Sequence, residues 1–457
     1  MQSILMVVIV VGALGMALVA SGAFALGRQK IALVILLPPL AVFAWLLLTQ
    51  KFESLVIGLP LFAIVIPFDM PTGTASKIPI VLLITLALGS IWFGSMLLRK
   101  RWHTQASPLN KPILAFAIIF LLSYIWSTIW RDPVIDLSAF GRFEVVQIGS
   151  LLTYYASLLT VILVGNFVNT ETRLKIFVGI FLALGSILSF VLSITNLQFP
   201  AARGLWSLWF VVPTFCIIFS ARPPVWYWRA LLFIFMMLNL YVAFWINLQW
   251  KSGWVPTVIG VFIAVLIRSR RWFLVLLLTA SMVAYANQQF ITDMTQKEEE
   301  EGADQRIDIW EINLHLIRAH WFLGTGPAGY AVYYMTYWPN DARSTHNNYL
   351  DIIAQFGVIG MIIWFWLAIT ATYEGIRLYR QAPPGFLKTM AWMTTSGWIA
   401  AQTSMMLGDW VLPFAYNQTI TGYKYTVYSW MFLGTLVALR PLIDAQRATL
   451  QKDIVHD

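Results

Sequence analysis

The chain has 457 residues, of which 59% are hydrophobic and 11% charged. A soluble domain carries about 25% charged residues, so this composition belongs to a membrane protein and excludes an ordinary soluble enzyme domain. The net charge of +9 is spread over many short loops without a continuous basic patch, which argues against nucleic acid as a partner, and the single Cys216 excludes an intrachain disulfide and a thiolate metal cluster.

A membrane helix needs about 20 mainly apolar residues. In chain order, such runs fall at 4–26, 31–49, 54–68, 78–98, 112–130, 150–168 and 174–197. They continue at 205–221, 229–248, 252–268, 272–290, 352–373, 388–408 and 424–440. The expected fold class is all-α, a polytopic transmembrane bundle of about 12 to 14 spans. The run 54–68 is short and interrupted by proline. The first run has neither a basic segment before it nor a small-residue cleavage site, and so reads as a retained span. Residues 1–457 form one integral membrane domain on this reading, with 290–350 as a large extracytoplasmic loop and 441–457 as a cytoplasmic tail.

Basic residues in short loops mark the cytoplasmic side. One alternate set of loops, from Lys51 through Arg99, Lys100 and Arg101 to Arg440 and Arg447, holds eighteen of the 30 basic residues but six of the 21 acidic ones. That set is expected inside; Arg28 and Lys30 then fall outside, against the rule. The polar features below all lie on the outer side. A site there has no soluble nucleotide within reach, so a donor must arrive activated and attached to lipid.

Three cations stand at outer span boundaries: Arg142 in "AFGRFEVV", Arg203 in "FPAARGLW" and Lys251 in "QWKSGW". Each taken singly reads as an anchor to lipid headgroups; several converging on one cavity would hold a pyrophosphate. The acidic run Glu298–Glu301 reads as a solvated segment, with no neighbouring His or Asp to complete a metal cage. Gln305–Trp321 is amphipathic, with Ile307, Trp310, Leu314, Ile317 and Trp321 at helical spacing. Arg306 and Trp310 share one side of it, and Arg306 is either a lipid-phosphate anchor or a substrate contact. "GTGPAGY", Gly324–Tyr330, matches a dinucleotide fingerprint in letters only: a helix precedes it, no βαβ unit is available, and its Gly and Pro supply turn geometry. His346, followed by Asn347 and Asn348, stands where the loop re-enters the membrane, either as an interface residue or as a general base. Asp409 closes the run 388–408 and is the one candidate for a buried charge there.

In order, "RIDIWEINLHLIRAHWFLGTGPAGY" and "HNNYLDIIAQFGVIG" resemble the Arg-x-x-x-Trp helix, Gly-x-Gly-Pro turn and His-Asn-x-x-Leu…Gly-x-x-Gly re-entry of the O-antigen ligase and O-antigen polymerase superfamily. "RGLW" at Arg203 resembles the family's Arg-rich entry to a span, without the usual Asn-Pro-Asn. "KSGW" resembles its Arg-Ser-Gly-Trp, with Lys251 in place of Arg. The resemblance covers roughly Phe199 to Gly360. It implies a metal-independent inverting glycosyltransferase without a cofactor, placed in the cytoplasmic membrane with its site on the outer face. His346 would be the catalytic base, and Arg203, Lys251 and Arg306 would grip the diphosphate of a polyprenyl-linked glycan. Arg142, Asn347 and Asp409 are further candidates. The expected partners are that donor, a lipid, glycan or protein acceptor and membrane lipids. The alternative is a transporter or flippase of lipid-linked glycans; such proteins place ionisable groups near the bilayer midplane, whereas these apolar runs contain almost none.

Overall fold

The computed structural model describes residues 52–456 apart from 67–68, 72–76, 101, 103, 136–142, 196–198, 200–201, 249, 290–291, 293–302 and 340–343. The runs 4–26 and 31–49, Arg28, Lys30, Arg142 and the acidic run 298–301 lie outside the described residues.

The run 54–68 folds as two short helices, α1 (Phe52–Ile57) and α2 (Leu59–Ile64). Gly58 separates them, and Pro60 is accommodated in the first turn of α2, where its missing N–H costs nothing. An antiparallel hairpin follows, β1 (Asp69–Pro71) and β2 (Lys77–Pro79), with Met70 opposite Ile78. Then come α3 (Ile80–Arg99), α4 (Asn110–Ile129), α5 (Phe143–Phe167), α6 (Glu171–Ile194) and α7 (Trp206–Ile218). Helix α8 (Trp226–Tyr241) continues through a π-helical turn, Val242–Ile246, and α9 (Lys251–Arg268) and α10 (Arg270–Ala286) complete this half. The remainder is α11 (Ala303–Ala319), α12 (Gly329–Tyr337), α13 (Asn348–Gln381), α14 (Phe386–Ser404) and α15 (Tyr423–His456).

Among the described residues, eight helices are long and apolar enough to cross a membrane, and the protein is a multi-pass, all-α membrane protein. Some elements differ in extent from the sequence expectation. The run 205–221 is a 13-residue helix, too short to span alone. The run 150–168 starts earlier, at Phe143, because Glu144 and Gln147 are carried into α5. The stretch 441–456, expected as a tail, continues α15 without a break.

Helix α15 is the centre of the bundle, buried along most of its apolar length. Lipid tails are as apolar as Leu, so helices in a membrane associate through close packing and interhelical hydrogen bonds. Both are present. On the α5–α15 crossing, a Cβ on Gly165 would meet Val437 Cγ1 at 2.6 Å, and one on Gly434 would meet Val164 Cβ at 2.7 Å. Tyr423 Oη lies 2.7 Å from Thr160 Oγ1, Trp209 Nε1 donates to Ser429 Oγ at 2.9 Å, and Thr394 and Thr435 share a 3.0 Å bond.

Contacts between loops sort them into two ends. At one end Glu374 accepts from Arg440 Nη1 at 3.2 Å, Arg173 pairs with Glu53, Lys175 lies over Phe386, and Arg268 over Trp392. All of these basic residues belong to the loop set assigned to one side by charge alone. At the other end Lys424 pairs with Asp69 at 2.7 Å, Thr421 Oγ1 donates to Lys77 O, and His346 meets Asn417.

The amphipathic helix is present as α11, but its buried face is not the one expected. Ile309, Asn313, Leu316 and Ile317 are buried and Trp310 is half-buried, whereas Ile307, Leu314 and Trp321 are exposed. The helix stops at Ala319, so Trp321 belongs to the following turn, and packing against α12 and α13 selects a stripe one residue round from the expected one.

Candidate functional site

Helix α13 begins at a tightly built corner. Asn347 is its N-cap: its side-chain oxygen accepts from the N–H groups of Tyr349 (3.0 Å) and Leu350 (3.4 Å), satisfying donors that a helix start leaves unpaired. His346, just before it, has φ +49°, a left-handed conformation in which His is enriched among non-glycine residues. Asn348 is fully buried and fastens the corner to the segment after α14. Its Oδ1 accepts from Val411 N (3.0 Å) and Leu412 N (3.1 Å), and its Nδ2 donates to Leu412 O (2.8 Å). Asn348→Leu leaves two buried backbone N–H groups without an acceptor, each worth about 1–3 kcal/mol, so a loss of about 2–6 kcal/mol is expected. A lowered thermal midpoint in detergent would show it; an unchanged midpoint would mean that the 411–412 segment is held by other contacts.

The carboxylate of Asp351 supports the same corner from below, accepting from Tyr330 Oη and Thr345 Oγ1, both at 2.6 Å. Trp310 Nε1 donates to Thr345 O at 2.8 Å, so α11 is tied to the residue beside His346. Arg306 lies one turn before Trp310 on that helix, and its side chain is outside the described part. Asp409, as expected of the charge at the end of its run, is fully buried. Its Oδ1 accepts from Asn417 Nδ2 at 2.8 Å and its Oδ2 from Phe414 N at 3.2 Å. Burial first, and the neighbouring Asp351 carboxylate second, push the Asp409 carboxyl well above the ordinary carboxylate range. The Asn417 amide also reaches His346 Nδ1 at 3.4 Å, so a buried acid stands one amide away from the imidazole.

His346 and Asn417 border a cavity of about 830 Å³. Arg203, Lys251 and half-buried His346 all line it, although 143 positions separate the first from the last. Arg203 arrives on the turn before α7 and Lys251 opens α9. Its walls differ in character: Leu192, Phe199, Val242, Ala243 and Ile246 make an apolar flank between α6 and the π-helical turn, and Asn247, Ser252, Asn417 and Gln418 join the ionisable groups on the polar side. Asp409 does not line the cavity but bonds to Asn417, which does. Asn347 does not line it either, its oxygen being engaged as a helix cap.

The glycine-rich turn Gly324–Tyr330 has a structural use. Gly357, at φ +67° and ψ −170°, breaks α13, and the turn docks into the break: Thr325 N donates to Ala354 O, Gly326 N to Gln355 O, and Val358 N to Trp321 O, at 2.8–2.9 Å.

The other loop histidines serve elsewhere. His315 is exposed on α11. His320 packs edge-on to Tyr333 at 4.6 Å, and burial lowers its affinity for a proton. Asp132, whose carboxyl is held below the usual range by the Tyr337 hydroxyl, ties the end of α4 to α12. None of His320, Tyr333, Tyr337 and Asp132 lines the cavity. Among the described residues no group of three or more His, Cys, Asp or Glu is arranged to hold a metal ion.

Sequence reading missed Asp351, Trp410, Asn417 and Gln418. A signal existed for Asp351, an acid placed between His346 and the start of the apolar run 352–373. Trp410 and Gln418 carry none, because their position depends on where the 405–422 loop folds.

Residues 229–365 match the family model described as O-antigen ligase, in agreement with the resemblance drawn from the motifs. The match includes Lys251, Arg306 and His346 and leaves Arg203, Asp409 and the 405–422 loop outside it. No curated protein matches the chain.

Proposed function

From the O-antigen ligase match over residues 229–365, we propose that this protein is a membrane glycosyltransferase of the ligase or polymerase type, moving a glycan from a polyprenyl diphosphate to an acceptor hydroxyl. The observation that carries this reading is the single cavity lined by Arg203, Lys251 and His346, with an apolar flank beside its polar wall. A lipid diphosphate has this dual character: the polyprenyl chain lies along Leu192, Phe199, Val242 and Ile246 while the diphosphate meets the two cations. Arg306 is the third cation proposed for it, and Arg142 stands as a further candidate on sequence grounds. The charge asymmetry of the loops supports placing this end of the bundle outside the cytoplasmic membrane.

The proposed reaction is one inverting displacement. The acceptor oxygen forms a bond to the anomeric carbon, and the bond from that carbon to the diphosphate oxygen breaks, its electron pair leaving with the polyprenyl diphosphate. His346 takes the acceptor's proton. Asn417 Nδ2, which donates to Asp409 Oδ1 and lies 3.4 Å from His346 Nδ1, holds the imidazole at the edge of the cavity. Arg203 and Lys251 stabilise the charge developing on the leaving group, in a site partly shielded from water.

Lys251 gives a graded test. Lys251→Arg is expected to retain transfer, since the charge is kept and the bidentate fork of Arg suits a phosphate. Lys251→Met should raise the donor KM by about tenfold or more, the loss of one charge-assisted hydrogen bond. The decisive experiment supplies purified protein in proteoliposomes with labelled lipid-linked glycan and each acceptor class in turn. A new glycosidic bond with release of polyprenyl diphosphate is the expected result; movement of the lipid-linked glycan across the bilayer without bond formation would establish the transporter reading instead.

A further inference from the structure

The cavity holds more polar groups than a diphosphate and a base require. Trp410, Asn417 and Gln418 form part of its lining, lie outside the matched stretch and lead from the cations to the base. The Trp410 ring meets Trp250, the neighbour of Lys251, edge-on at 5.6 Å. The same ring lies against the Arg203 turn: a Cβ on Gly204 would come within 3.1 Å of Trp410 Cε3. Asn417 in turn reaches His346 at 3.4 Å. Trp410 and Gln418 both line the cavity, and Trp410 Nε1 and both amide atoms of Gln418 are buried with no hydrogen-bond partner among the described residues. Native proteins rarely leave buried donors and acceptors unpaired, so three such atoms on residues that line one cavity call for a partner there.

A donor-only indole N–H and an amide that both donates and accepts, on residues lining a cavity that Trp206, Trp250 and Trp254 also line, fit a sugar ring. Hydroxyl or acetamido groups satisfy the polar atoms, and the apolar face of the ring lies against the aromatic walls. We propose that Trp410 and Gln418 form the subsite for the sugar whose anomeric carbon is attacked. This rests on the transferase reading, because a sugar joined to the diphosphate on one side and attacked on the other has to lie between Arg203 with Lys251 and His346.

The test is calorimetric titration of the full-length protein in detergent micelles with three lipids: polyprenyl diphosphate, and the same lipid carrying N-acetylglucosamine or glucose. The wild type is expected to bind at least one sugar-bearing lipid about tenfold or more tightly than the bare lipid. Trp410→Phe, which keeps a ring and loses the N–H, and Gln418→Leu should each cut that advantage by about three- to tenfold, with bare-lipid affinity unchanged. Equal wild-type affinity for all three lipids would overturn the subsite, as would variants that weaken bare and sugar-bearing lipids alike. A wild type that binds none of the three removes the donor reading itself, a result distinct from loss of the sugar preference alone.

Discussion

His346→Ala is expected to lower glycan transfer by about 10²- to 10⁴-fold, the usual contribution of a general base, while the protein folds and inserts as before. His346 is half-buried and borders the cavity beside the two cations, and its ring is backed by Asn417 rather than packed into the core. Its removal therefore takes away a proton acceptor without opening the bundle. His315→Ala and His320→Ala serve as controls, since neither residue lines the cavity, and both should retain most of the activity. A base must be unprotonated to work, so transfer by the native protein should fall on the acid side of its pH profile, and that acid limb should be absent from His346→Ala. The measurement is initial rate against pH with lipid-linked donor in excess. Near-normal transfer by His346→Ala, with the acid limb intact, would reduce His346 to an interface residue and leave the reaction without its base.

Gly357→Ala is expected to destabilise the protein by about 3 kcal/mol or more, a larger effect than any surface change. At φ +67° and ψ −170° the backbone occupies a region open essentially to glycine alone. A Cβ there would also fall 2.1 Å from Phe322 O, a backbone atom that cannot swing aside. To relieve the clash, the turn 321–326 would have to withdraw from the break in α13. That releases the bonds from Thr325 and Gly326 to Ala354 and Gln355, and with them the hydroxyl of Ser123, which donates to both Leu323 O and Gln355 O. Gly179→Ala, in α6 with nothing within 4 Å of its Cβ, should be neutral or slightly stabilising, because Ala is the better helix former. Thermal unfolding in detergent measures both. A Gly357→Ala protein with a native midpoint would show that the break tolerates a side chain.

The sequence by itself determined the class of protein, the positions of the helices and the grouping of their ends. Those properties follow from local rules: an apolar run of the right length has to satisfy its own backbone as a helix, and basic loops sort to one side. The pairing of Glu374 with Arg440 and of Arg173 with Glu53 at one end agrees with that count. Motif order also singled out Arg203, Lys251 and His346 as candidates, which the fold then places around one cavity. What the tertiary structure decided was everything that depends on neighbours from distant segments. The face that α11 buries was set by α12 and α13, not by the helix's own periodicity, so Ile309 and Leu316 turned inward and Ile307 and Leu314 outward. The break at Gly357 reads as helix in sequence, because its cause is a turn that approaches from more than thirty residues earlier and supplies the missing hydrogen bonds. The part of the cavity lining that comes from the 405–422 loop was invisible in the sequence, since Trp410, Asn417 and Gln418 gain meaning only from the Arg203 turn, Lys251 and His346 that folding brings against them.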